Sequence, residues 1–208
     1  MKAKYIKWTE IHKKADEVRS KYLQLPEQMP VLIERLIVNV GIDIVPVEEL
    51  KKDFDIEGFI SMKQGILYVD NDSYFSDKYF NRLRFTMAHE LGHYFLHADL
   101  YPKEKFSSVY EWIQYLQKLD PYEVDWIERQ ADEFAGRILV PRLNLIEAIE
   151  NFISKYGLKP RYGFDKESSK ELSISNFIRE GCELFQVSTQ MLDIRIKKEG
   201  LEDEFLIK

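Results

Sequence analysis

The ten residues Arg84-Phe85-Thr86-Met87-Ala88-His89-Glu90-Leu91-Gly92-His93 constrain this chain more than any other stretch. Phe85, Met87, Ala88, Leu91 and Phe95 surround two histidines spaced four apart, which predicts a long, largely buried helix from about Asp77 to His97. On a helix, residues four apart lie one turn on and offset by about 40°, so both imidazoles can reach one ion. Zn²⁺ accepts imidazole nitrogen at roughly 2.0–2.1 Å in a tetrahedral shell. Glu90 stands about 100° further round, clear of that shell yet within reach of water held there. The bland alternative is a core helix with two histidines. Its apolar setting argues for a metal, because buried histidines need a partner. Gly92 adds to this, since a mid-helix glycine costs about 1 kcal/mol against alanine and is best explained by something approaching the backbone.

The chemistry follows from that placement. Zinc lowers the pKa of water it holds from about 15.7 to about 7. Glu90 can then take a proton and later return it to a leaving amine, the work of a general acid–base catalyst. The third ligand must come from elsewhere. His97 repeats the four-residue spacing, but three successive turns of one straight helix spread over about 12 Å, too far for one tetrahedral shell. A carboxylate on a second helix is better placed, and Glu128 is the first choice, with Asp132 one turn further on to accept the other ring N–H of a ligand histidine. From spacing alone, Glu123, Asp125 and Glu133 remain open as competitors.

Composition narrows the setting. A net charge of −6 makes the chain a poor general binder of phosphate backbones. Cys182 is the only cysteine, so no intrachain disulfide and no cysteine-based zinc site can form. Met1 to Trp8 carries basic residues with no apolar core behind them, and no stretch has the roughly 18 uncharged apolar residues of a membrane span. A cytoplasmic protein is expected.

Helices are predicted at about 9–24 with Thr9 as N-cap, at 31–38, at 122–139 and at 143–156, with a short one near 109–119. A strand is expected at 42–47, and Gly58 to Val69 reads as a hairpin turning at Lys63-Gln64-Gly65. Residues 156–173 hold glycine, proline and mixed charges and read as a linker. Two last helices, 174–185 and 189–198, flank Gln186-Val187-Ser188, with Ser188 as N-cap.

The motif Arg84-Phe85-Thr86-x-Ala88-His89-Glu90-Leu91-Gly92-His93, together with Glu128-x-x-Ala131-x-x-Phe134-Ala135 and Leu139-x-Pro141, resembles the ImmA/IrrE family of zinc metallo-endopeptidases, over roughly residues 30–141. The resemblance implies an α+β, zincin-like metallopeptidase domain with a small sheet, placed at 1–141, and a helical extension at 142–208. It implies a gluzincin-like Zn²⁺ site with His89, His93 and Glu128 as ligands and Glu90 as base. It also implies a cytosolic enzyme that makes limited cuts in a helix-turn-helix repressor, often encoded nearby on a phage or mobile element. Asp132 stands where the family frequently has Asn, which keeps the hydrogen bond to a ligand histidine and adds charge. In the zincin arrangement a substrate lies along an edge strand, here expected in the Gly58–Val69 hairpin at Ile66, Leu67, Tyr68 and Val69. Tyr94, His97 and Tyr101 are open candidates for stabilising an oxyanion.

Residues 174–201 look like a helix-turn-helix. From Pro141 onward, eleven basic side chains face twelve acidic ones, a net charge of −1. That balance favours a helical cap or a partner-docking element over a DNA reader. The alternative for the whole chain is a metal-binding regulatory protein that contacts DNA or a repressor and has little free protease activity. Oligomeric state is not legible.

Overall fold

The computed structural model describes residues 5–23, 28–62, 64–100, 120–157 and 165–205, together with Glu111, Gln114 and Lys118. The expected helix at 109–119 and Tyr101 lie largely or wholly outside them. The described residues divide into two compact units, one up to residue 23 and from Leu32 to Ile138, the other from Leu139 onward with residues 28–31.

The first unit opens with α1 (Trp8–Leu23), whose Ile11, Ala15 and Val18 form its buried stripe. Thr9 therefore lies inside the helix and does not cap it. Next comes α2 (Ile33–Val40), which ends where Gly41 takes φ 93°, a left-handed turn that lets its N–H reach the carbonyls of Ile37 and Val38. Strand β1 (Asp43–Val47), a short α3 (Leu50–Phe54), β2 (Gly58–Ser61) and β3 (Ile66–Asp70) follow. Asp70 ends β3 and caps α4 (Asn71–Tyr74) by accepting from the Ser73 N–H, while its other oxygen accepts from the Lys51 N–H at 2.9 Å. A 3₁₀ turn at Asp77–Tyr79 leads into α5 (Phe80–Leu96), and α6 (Pro121–Leu139) follows later in the chain.

The sheet runs β1-β3-β2, with β1 parallel and β2 antiparallel to β3. The expected hairpin is present, but its strands take other roles than the sequence suggested. Ile66, Leu67, Tyr68 and Val69 are in the central strand, hydrogen-bonded on both sides, so they offer no edge to a substrate. Parallel pairing with β1 closes the side that would have been free. The free edge beside α5 belongs to β2.

The second unit holds α7 (Arg142–Tyr156), α8 (Lys166–Phe185) and α9 (Thr189–Lys198). Helix α8 starts well inside the expected linker. Asp165 caps it by accepting from the Ser168 N–H at 2.7 Å, so its first turns form without an apolar stripe. Ser188 caps α9 through the Met191 N–H, as read from the sequence. Phe152 and Phe177 pack edge-on and Phe205 lies tilted against both in this unit, whose core also holds Leu192 and Ile196.

Candidate metal centre

Two helices build the site, and a glycine sets how closely they approach. A Cβ added at Gly92 would lie 3.1 Å from both the Cα and the carbonyl oxygen of Ala131, and 3.3 Å from Cβ of Phe134. A side chain there would make the Ala131 backbone give by a few tenths of an ångström, which accounts for a glycine in mid-helix. With the backbones this close, one turn of α5 (His89, Glu90, His93) faces one turn of α6 (Glu128, Asp132).

The side chains converge. Nε2 of His89 is 2.9 Å from Nε2 of His93 and 3.0 Å from one oxygen of Glu128, whose other oxygen is 3.5 Å from Nε2 of His93. Donor atoms on a tetrahedral zinc stand about 3.3–3.4 Å apart when each bond is roughly 2.0–2.1 Å. The three separations straddle that spacing, so these residues fit a divalent cation. His89, Glu90 and His93 also bring one ligating atom each within 4.8 Å of one another. Behind His89, Oδ1 of Asp132 is 2.8 Å from Nδ1, which places the ring proton on Nδ1 and turns Nε2 toward the gap.

Electrostatics agree with the geometry. Burial works against charge on His89, but hydrogen bonds to Asp132 and Glu128 and the nearby Glu90 outweigh it and raise the imidazole to about 10. Burial acts against the Glu128 carboxylate too, and its hydrogen bonds to His89 and His93 pull it well below the ordinary carboxylate range. Glu90, 8% exposed, is pushed up by burial. One of its oxygens accepts the Ile60 N–H of β2 at 3.1 Å.

A cleft of about 470 Å³ opens over these groups, walled by Glu57, Phe59, Arg82, Phe85 and Thr86. At its rim Glu57 binds the Nε–H of Arg82 at 2.6 Å. Tyr94 is not part of the wall, and His97 sits behind His93, away from the cleft, so neither faces the place where an oxyanion would form. Of the acidic competitors, Glu133 is buried against His12 and Asp125 pairs with Arg129.

Three contributors escaped the sequence reading: Gln130, the Ile60 N–H and the Glu57–Arg82 pair. Gln130 is fully buried and holds His97 through Oε1 at 3.0 Å. Its place between Glu128 and Asp132 was the one signal available. A backbone N–H carries none.

The pocket brings together residues that could hold a divalent cation beside a buried carboxylate. A family model described as IrrE N-terminal-like domain, Peptidase_M78, matches residues 77–197, more than half of the chain, and the protein belongs to that family. No curated protein matches it. The match starts later than the motifs suggested and runs past Pro141 into the second unit. Membership makes the chain a protein of peptidase type. Among the described residues no helix is long and apolar enough to cross a membrane.

Proposed function

We propose that this chain is a cytoplasmic, zinc-dependent endopeptidase that makes limited cuts in a regulatory protein, with a helix-turn-helix repressor as the substrate class. The observation that carries the reading is the convergence of His89, His93 and Glu128 on a gap of zinc-shell size, with Glu90 alongside. The choice of a repressor rests on the resemblance carried by residues 84–93 and 128–141.

His89, His93 and Glu128 would hold the ion. Zinc bound there would supply Lewis acidity to a peptide carbonyl and to water. Glu90 supplies the proton acceptor. The Ile60 N–H holds its Oε2 and leaves Oε1 to take the proton, and burial keeps the carboxyl ready to return it to the departing amine. Asp132 keeps His89 in the required tautomer. An extended peptide would lie along β2 beside α5, between Phe59 and Phe85.

The test is Glu90→Gln, assayed for zinc content and for cleavage of a co-expressed candidate repressor. Zinc retained with cleavage reduced by about 10²–10⁴-fold is the expected result. Cleavage at the wild-type rate removes Glu90 from the chemistry.

The helix-turn-helix shape of α8 and α9, with its Ser188 cap, favours one second reading: a regulatory protein that binds DNA or a repressor. The net charge of −1 from Pro141 onward weighs against the DNA form. Absence of a salt-sensitive shift of duplex DNA at low salt removes that form.

A further inference from the structure

His97 repeats the spacing of the motif histidines without joining the donor set. Its Nδ1 is 3.1 Å from Nδ1 of His93, and its Nε2 is 3.0 Å from Oε1 of Gln130. His97 is 2% exposed and Gln130 is fully buried, so water does not compete for these bonds. Among the described residues the His97 ring has no other hydrogen-bond partner.

Proton positions along this line follow from what each atom can do. The Gln130 oxygen only accepts, so Nε2 of His97 carries hydrogen. A neutral imidazole then has a bare Nδ1, which accepts. Two ring nitrogens at hydrogen-bond distance share one proton, so Nδ1 of His93 must donate. When His93 is neutral, as a metal ligand must be, that is its only proton, so its Nε2, on the side facing His89 and Glu128, is bare. The opposite tautomer of His93 would aim an N–H at the cation.

We infer that His97 is a positioning residue which, anchored by Gln130, fixes His93 in the tautomer whose Nε2 can bind a metal. The inference rests on the proposed metal centre and adds an order to it. His89 is oriented by a carboxylate, Asp132, whereas His93 is oriented by a neutral buried chain. The two ligands differ in how they are held.

The experiment uses the full chain with zinc as the probe. His97→Phe keeps an aromatic ring of similar volume but cannot accept, and His97→Asn offers a carbonyl acceptor at reduced volume. Zinc affinity, measured by competition with a chelating dye, is expected to fall about 10–100-fold in His97→Phe and to recover most of that loss in His97→Asn. A packing role alone predicts the reverse order, since the phenyl ring fills the space better. Nitrogen-15 spectra of histidine-labelled wild-type protein, with and without zinc, should show His97 protonated at Nε2 and bare at Nδ1, and this reading stands even if a variant fails to fold. His97 protonated at Nδ1, or unchanged zinc affinity in His97→Phe, overturns the inference while leaving the metal centre intact. A wild-type chain that binds no zinc removes the metal centre and the role of His97 together.

Discussion

Both units bury ionisable side chains, yet they do so to opposite effect. In the second unit Glu199 is clamped between Arg195 of α9 and Arg142 of α7, and both Arg195 and Glu199 are almost fully buried. Opposite charges meet there and the cluster is closed. In the first unit two histidines face three carboxylates, Glu90, Glu128 and Asp132, and the ligating atoms surround a gap. That cluster holds more acidic than basic groups, and a divalent cation would balance it. Buried charge by itself does not mark a functional site; a deficit of one sign around a shared space does.

The contrast can be broken at either end. The largest effect is expected where charge is closed. Arg195→Ala leaves Glu199 buried with one partner fewer, and should destabilise the fold by about 3–5 kcal/mol in a denaturant titration while zinc affinity stays unchanged. Weaker zinc binding in that variant would mean the two clusters are not independent. Glu128→Ala is the converse. It should abolish the zinc-dependent rise in stability, about 2.7 kcal/mol at a metal concentration 100 times the Kd, measured against the same variant free of metal. Persistence of the full rise would return the third-ligand position to another acid.

Gly92→Ala sharpens the comparison through geometry. A methyl group 3.1 Å from the Ala131 backbone must push α5 and α6 apart, at a cost of about 1–3 kcal/mol in thermal or chemical unfolding, partly offset by the better helix propensity of alanine. Unchanged stability would show that the crossing has slack.

The smallest effect is the pH response of the metal-free chain. His89 is raised from 6.5 to about 10, so its contribution is complete below pH 6.5 and fades as pH rises toward 10. Glu128 is lowered from 4.5, so its contribution stands above pH 4.5 and is lost on acidification. Denaturant midpoints with a chelator present should therefore be highest, for this pair, between pH 4.5 and 6.5. Zinc must displace the His89 proton, so its affinity should climb across pH 6.5–10, with protons released on binding. An affinity flat over that range would place the proton elsewhere.

What could be read from the sequence was what repeats at a fixed spacing. The helix bearing His89 and His93 and the helix bearing Glu128 both carry long apolar patterns, and the family motif links them. Helices α3 and α4, of five and four residues, are too short to show a period, and α8 begins on a cap amid charged and serine residues. Strand order was hidden for another reason. Nothing local in Ile66 to Val69 says that β1 pairs beside it in parallel, so the central strand passed for an edge. For His97, spacing measured reach and ruled out ligation, but it could not say which ring nitrogen faces which neighbour.

The bond from Ile60 to Glu90 has a consequence for any polypeptide docking along β2. That strand is short, and its outward amide at Ile60 is already taken by Glu90. An incoming backbone must leave that hydrogen to Glu90 or displace it. Under the proposed mechanism Glu90 would act as a ruler as well as a proton carrier, because a chain that slides into the wrong register would meet an amide it cannot use without disarming the reaction.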